Sequence, residues 1–342
     1  KKVPRGIICG APNMAAGEKV VVTLPGAVLP GDFKIEPRKT YGHVSDGMCA
    51  SERELGLGDS HEGIILLRDY GFTPQEYKAL KPGDDAMHLL HLDQPILEIN
   101  ITPDRGYAFS YRGVAREYHH STGAKFVDPV TELNKRAPAA LAAESGVSSD
   151  IEVIVDDNNP IHGVTGCDRY VARIVRNVKV GPSPDWMVKR LNALGVRPHN
   201  NIVDITNYVM MLTGQPLHAF DLDTFAERDG HRRVVVRAAQ QDEKFTTLDG
   251  EERVLDAGMG LITDGECPVA LAGVMGGMDS EIEDDTVDVM VESACFNAGR
   301  TSHTSRDLSL ISDASIRFER QVDETGCVDV ANVTCALIEE IA

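Results

Sequence analysis

The chain has 342 residues, with 34 Lys and Arg against 53 Asp and Glu, a formal net charge of −19. At roughly 100–200 residues per domain this length predicts two or three domains, and 42% apolar with 25% charged residues is an ordinary globular composition. No run of about 18 apolar residues is present, which argues against a membrane span, and the opening Lys1-Lys2-Val3-Pro4-Arg5 lacks a signal-peptide core, so the expected compartment is the cytoplasm.

The seven cysteines (9, 49, 167, 267, 295, 327, 335) form no CxxC pair and are odd in number. Reduced, mostly buried thiols are expected rather than a disulfide framework or a thiolate zinc site. The acidity lowers the expectation of nucleic-acid binding, which rests on Lys and Arg. It is uneven, however: residues 1–150 carry net −3 and residues 151–342 net −16, which leaves room for a local basic face.

The first ~70 residues read as strands and turns, with Val20–Leu24 a strand by β-branched content and Pro25-Gly26 and Pro30-Gly31 as punctuation. Arg68 to Asp93 is charged and irregular and reads as a connector. A helix is then expected from Thr102 as N-cap and Pro103 as its first residue, with Tyr107, Tyr111, Val114, Ala115 and Tyr118 at helical spacing and Gly123 closing it. Thr131 to Asp150, rich in Ala, Ser and charge, reads as a linker.

From Gly166 a larger mixed unit is expected. Ser183-Pro184-Asp185 opens a helix with Met187, Leu191 and Leu194 on its apolar face and Gly195 at its end; Asn201 to Thr213 is a second, striped by Ile202, Ile205, Val209 and Leu212. A strand at Val234–Val236 and a hairpin at Asp249-Gly250 follow. A last helix from Thr325 to Ile341, with Val328, Ala331, Cys335 and Ile338 on one face, reaches the final residue without a cap, as a longer chain cut short would.

Three segments hold residues that chemistry uses. The glycine cluster in Ala270–Gly277 fits neither a phosphate loop nor a dinucleotide fingerprint, and reads equally as a tight bend or a ligand wall. His218, after Gly214-Gln215-Pro216, is expected on a loop; a lone His is more often a structural hydrogen-bonder, and no second His stands at metal-ligand spacing. Glu292 interrupts the apolar run Val289-Met290-Val291. A carboxylate there needs a hydrogen-bond partner, which leaves a buried pair with Arg and a pocket-floor carboxylate as the two readings. No nucleophile elbow and no Ser-His-Asp pattern can be assigned.

In these segments the chain resembles the β subunit of bacterial phenylalanyl-tRNA synthetase. Ile8–Asn13, Leu24–Gly31, Ser45–Ser51 and Glu54–Gly58 resemble its tRNA-binding OB-fold module, and Ile101–Gly106 the small domain holding that module. Arg197-Pro198, Asn201–Met210, Gly214–Asp221, Gly273–Gly277, Glu292–Ala294 and Ser312–Arg320 are similar, in order, to its editing domain. Ile311 and Gln321 stand where the family more often has Arg and Gly.

The resemblance implies a multi-domain α+β chain: an OB-like β-barrel module (1–95, its first strands missing) inserted in a small α/β domain (second part, 96–130), a linker (131–165), and a larger mixed α/β editing domain (166–342) ending in a truncated helix. It also implies that ATP, magnesium and the aminoacylation site belong to an α subunit, in an assembly of two α and two β, and that this chain holds no cofactor and no metal. Its own share would be binding of phenylalanine tRNA and hydrolysis of tyrosine wrongly esterified to it. An apolar pocket rejects an added hydroxyl by only about a hundredfold, so a second site must offer the phenol a partner that phenylalanine leaves unmatched, at a cost of ~1–3 kcal/mol. By the family's pattern Glu292 meets the tyrosyl hydroxyl, Gly273 and Ala314 shape the ring pocket, and Thr206, Asn207, Pro216 and His218 line the ester end. The alternative is a non-catalytic tRNA-binding and scaffold piece with a vestigial pocket.

Overall fold

The structure, a computed structural model, describes residues 4–57, 63–70, 72, 74–90, 92–93, 96–136, 151–156, 165–228 and 230–342. Contacts divide the chain into two units, 1–97 with 189–197 and 98–188 with 198–342.

The first unit is built from short pieces: strands β1 (Val22–Thr23), β2 (Val28–Leu29), β3 (Phe33–Lys34), β4 (Arg38–Thr40), β5 (His43–Ser45) and β6 (Met48–Cys49), and helices α1 (Glu52–Leu55), α2 (Pro74–Ala79) and α3 (Ala86–Leu89). β1 pairs with β6, while β2–β3 and β4–β5 are hairpins. The strand expected over Val20–Leu24 is thus two residues long. Gly47 bends the chain ahead of β6 at φ +137°, where a Cβ would lie 2.8 Å from the Thr23 carbonyl oxygen.

The stretch read as a connector is part of this unit's core. Tyr70, Phe72, Tyr77, Leu80, Ala86 and Leu90 pack on buried Val21, Ala50, Ile65 and Leu67. Its apolar residues are sparse among charges, so no periodicity revealed them. The hairpins expose Phe33, Lys34, Arg38, Lys39 and Tyr41, the last at 91%.

The second unit begins with α4 (Tyr111–Thr122). Its N-cap is Ser110, whose Oγ accepts from the Gly113 amide at 2.9 Å, so the cap falls eight residues after the expected Thr102; a 3-10 turn at Gly106–Ala108 precedes it. Gly123 closes it at φ +73°, as expected. The predicted linker is partly structured: α5 (Pro129–Asn134) is a helix capped by Asp128, and β7 (Ile151–Asp156) is a strand paired parallel to β10 (Arg232–Ala238). The rest of that linker lies outside the described residues.

Then follow β8 (Cys167–Val175), α6 (Asp185–Ala193), α7 (Asn201–Thr213) and β9 (Leu217–Asp221) ahead of β10. Beyond it come the hairpin β11 (Glu243–Thr246) and β12 (Glu252–Leu255), β13 (Gly260–Thr263), β14 (Pro268–Leu271), β15 (Met275–Gly276), β16 (Val289–Phe296), α8 (Ala298–Asp307), α9 (Asp313–Phe318) and α10 (Cys327–Ile341). α7 has the expected bounds because both ends are specified: the Asn200 side chain accepts from the Val203 amide, and Gly214 ends the helix at φ +86°. The expected hairpin at Asp249-Gly250 also forms.

Two sheets form the body. One runs β15-β14-β13-β10-β7; the other is antiparallel, β8-β16-β9. A single apolar cluster joins them, with Phe220, Met290, Ala294 and Phe296 from the second meeting Val234, Val236, Ile262 and Ala270 from the first. α10 packs on β8, β16 and α7, and its burial extends past the expected stripe to Val330, Val333 and Leu337. Covered on both faces, β16 is buried at every residue, which explains its near-continuous apolar sequence.

Candidate functional site

The site is assembled by the register of β8, β16 and β9. Glu292 on β16 lies directly opposite His218 on β9 and Ala172 on β8. Residues opposite one another in an antiparallel pair share a face, so the carboxylate and the imidazole stand together on the face that packs toward the other sheet. His218 is therefore on a strand and not on the expected loop; Leu217 already pairs with Ser293.

Glu292 is 6% exposed, and the partner that satisfies it is a phenol rather than a guanidinium: Tyr170 on β8 donates its hydroxyl to Oε2 at 2.8 Å. Burial pushes this carboxyl up to about 7, against the pull of the Tyr170 hydrogen bond toward the ionised form. His218 moves the other way, down to about 4, because burial disfavours the imidazolium. It meets the Phe220 ring edge-on at 4.4 Å between centroids. On its other side is Gly276, where a Cβ would stand 3.1 Å from the ring's Cε1 and Nε2. Burial thus raises the acid and lowers the imidazole of this pair.

The glycine cluster is both a bend and a close-packed wall. Gly273, at φ +73°, turns the chain between β14 and β15, and a Cβ on it would come 3.0 Å from Phe296 and from Phe318. Ser312 Oγ donates to the Val274 carbonyl at 3.0 Å and caps α9 by accepting from the Ser315 amide, so this loop is tied to the helix that carries Ala314 and Phe318. Ala314 packs on the same apolar cluster as Phe296 and Phe318. Phe296 in turn meets Tyr170 edge-on at 6.4 Å and Phe318 at 5.1 Å. Aromatic edges and small residues thus share a cluster with the strands of Glu292 and His218.

Of the residues singled out from sequence, Glu292 and His218 are brought together as a cross-strand pair, and Gly273 and Ala314 join the aromatic cluster. Thr206 and Asn207 stand on α7, which packs on β9; the Thr206 hydroxyl donates to the Val203 carbonyl at 2.7 Å. Pro216 is buried, and its carbonyl accepts from Gln215 Nε2, which also donates to the Ala294 carbonyl at 2.7 Å and so fixes this loop to β16. Much of the Asn201–Met210 motif is structural: Asn201 binds the Gly181 amide and the Lys179 carbonyl, and Asp204 accepts from Ser183 and from the His199 amide.

Sequence reasoning missed Tyr170, Gly276, Phe296 and Phe318. Gly276 lay within the glycine cluster and Phe318 within the Ser312–Arg320 segment, while Tyr170 and Phe296 carried no signal of their own. Gln321 adopts φ +65°, a backbone region where glycine, the residue the resemblance expects there, is unstrained; a side chain in this region costs about 1–2 kcal/mol. Departing from the other expected family residue, Ile311 is simply exposed. All seven cysteines are free thiols, four of them buried and Cys267 exposed.

Among the described residues one group has metal-donor spacing, Asp256, His303 and Asp307, with His303 bracketed by both carboxylates at 3.1 and 3.4 Å. No described helix is long and apolar enough to cross a membrane.

The B3/4 domain family model matches residues 166–342, the stretch that contains both strands of the Glu292–His218 pair. A phenylalanine–tRNA ligase beta subunit of Bifidobacterium longum is 61% identical over 94% of this chain and 37% of its own length; that of Leifsonia xyli is 47% identical over 99% of this chain and 38% of its own. The chain therefore spans under two fifths of the length of these relatives. An N-terminal fragment of the phenylalanyl-tRNA synthetase beta subunit of Pyrococcus horikoshii superposes only loosely, with TM-score 0.33 and 16% identity over 56% of this chain and 53% of that one. The chain belongs to the B3/4 domain family and is similar, over part of their length, to phenylalanine–tRNA ligase beta subunits.

Proposed function

We propose that this chain is the tRNA-binding and proofreading part of a phenylalanine–tRNA ligase β subunit, and that its B3/4 portion hydrolyses tyrosine wrongly esterified to phenylalanine tRNA. The observation that carries this reading is the buried Glu292 carboxylate, bonded to a phenol and set on the sheet face it shares with His218 and Phe296, against which Phe318 packs. The apolar cluster, with glycine and alanine in its wall, matches a benzyl side chain in character; a carboxylate beside it would select the ring that carries a hydroxyl. Phenylalanine would leave that carboxylate unmatched.

In the reaction a water oxygen attacks the ester carbonyl carbon. The bond from that carbon to the ribose oxygen breaks, one proton of the water passes to the ribose oxygen, the other is released to solvent, and tyrosine leaves as its carboxylate. His218, kept neutral by burial, offers a nitrogen to orient the water or the tRNA terminus. So low a basicity suits orientation better than proton abstraction. Thr206, Asn207 and Pro216 are assigned to the ester end on the family's pattern.

The tRNA itself would be held partly by the first unit, whose exposed Phe33 and Tyr41 stand near Lys34, Arg38 and Lys39 in sequence and offer stacking with phosphate neutralisation. ATP, magnesium and the aminoacylation chemistry would belong to an α subunit, in a cytoplasmic assembly of two α and two β chains. The deciding experiment is deacylation of phenylalanine tRNA mischarged with tyrosine by the complete ligase; release of free tyrosine above the spontaneous rate is expected, and its absence would sink the reading.

A further inference from the structure

Tyr170 has no place in the reading from sequence, yet among the described residues it is the side chain bonded to Glu292. On β8 it stands opposite Ala294, two residues along β16 from Glu292, the diagonal position from which a long side chain reaches a neighbour on the same face. Its ring lies edge-on to Phe296, and Phe296 is fixed by Phe318 and by close packing on Gly273. The hydroxyl is therefore aimed by the same aromatic wall that would hold the substrate ring.

We infer that Tyr170 is a positioning residue for editing specificity: its hydroxyl pins Oε2 of Glu292 and leaves Oε1 for the phenol of the tyrosyl ester. This rests on the proposed function and assigns how its carboxylate is set. The existing bond already joins this carboxylate to a phenol at 2.8 Å, so a second phenol reproduces chemistry the site contains. The bond also favours the ionised carboxylate against burial, and only that form has both oxygens free to accept. Burial and the neighbouring Glu292 push the Tyr170 phenol well up, so it stays a donor.

The titratable groups facing Glu292 are Tyr170 and Cys167 from β8 and His218 from β9. The thiol of Cys167 is pushed far up by burial and His218 is held neutral, so neither competes near pH 7. The elements packed over this face contribute apolar residues such as Ala270 and Phe318.

The test is Tyr170→Phe in the complete ligase, which keeps the ring and removes one oxygen. Hydrolysis of tyrosyl-tRNA should fall about tenfold, as loss of one hydrogen bond to a charged group implies, with phenylalanyl-tRNA hydrolysis unchanged. The acid limb of the tyrosyl rate should move to higher pH, because the carboxylate has lost a donor that favoured its ionised form. In a Glu292→Gln background the same substitution should cost less than twofold, since the carboxylate it positions is gone.

Equal losses on both esters with an unmoved pH limb would make Tyr170 a packing residue and overturn the inference, as would an unchanged tyrosyl rate. If Tyr170→Phe does not fold, Tyr170→Trp, which keeps a ring on Phe296 but moves the donor, must show the same loss confined to the tyrosyl ester. A parent ligase that leaves tyrosyl-tRNA intact overturns the proposed function itself, whereas an active parent matched by Tyr170→Phe overturns only this inference.

Discussion

Two places in the second unit bring a histidine to carboxylates, and they behave in opposite ways. At Asp256, His303 and Asp307 the imidazole is bracketed by acids on a partly exposed surface. Burial pushes Asp256 up, but hydrogen bonds from His303 and from the Gly258 and Met259 amides outweigh it and hold the carboxyl below its usual range. At Glu292 and His218 a buried carboxyl and a half-buried imidazole share one sheet face, the acid raised to about 7 and the imidazole lowered to about 4 by desolvation. The same residue types make a hydrogen-bonded surface cluster in one place and a perturbed acid beside an imidazole lowered by desolvation in the other. What separates them is desolvation, and perturbed groups mark the better functional candidate.

The largest expected break is Glu292→Ala, which should lower tyrosyl-tRNA hydrolysis by roughly 10- to 100-fold, the worth of a hydrogen bond to a charged group. Asp256→Ala should leave that rate within about twofold, because a surface pair of this kind contributes little. Parallel single-turnover deacylation assays measure both; a loss in Asp256→Ala that matched Glu292→Ala would erase the distinction. Next is His218→Ala, for which a loss of more than ~10-fold with circular dichroism unchanged is expected, about 1.4 kcal/mol of transition-state stabilisation. His303→Ala should edit at the parent rate.

The comparison sharpens with pH. Tyrosyl-tRNA hydrolysis should decline as pH drops through about 7, where Glu292 takes up its proton, while the phenylalanyl ester shows no such step. The smallest effects are on stability, and the two acids differ in sign. Glu292 binds its proton more tightly in the folded state, so its ionisation costs stability as pH rises from its ordinary range through about 7. Glu292→Gln should therefore gain in Tm relative to the parent on going from about pH 5 to about pH 8. The Asp256 carboxyl is lowered, so it adds stability above its ordinary range that is lost in acid; Asp256→Asn should lower Tm near neutrality and converge on the parent as pH falls.

What the sequence made legible was local. Asn200 and Gly214 specify α7, Gly123 ends α4, and Asp249-Gly250 makes its hairpin, because each signal acts within a few residues. Glu292 stood out because a strand buried on both faces is otherwise apolar. Its partner did not, since Tyr170 lies 122 residues away and only the β8–β16 register unites them. His218 was placed on a loop because Gly214-Gln215-Pro216 ends a helix convincingly, while nothing local announces that β9 pairs at once. The residues of β7 sit beside a segment of linker composition, and their strand is set by β10, some 80 residues on. Thr102-Pro103 imitates a helix start, but Ser110 supplies the cap that is used.

The most direct test of the central claim, that a buried carboxylate chooses the ring with a hydroxyl, is the ratio of tyrosyl- to phenylalanyl-tRNA hydrolysis rates in the complete ligase, measured for the parent and for Glu292→Ala. The account predicts a ratio well above one in the parent that collapses toward one in the variant, through loss of the tyrosyl rate alone. A ratio that survives the substitution, or a parent that hydrolyses both esters equally, would contradict it.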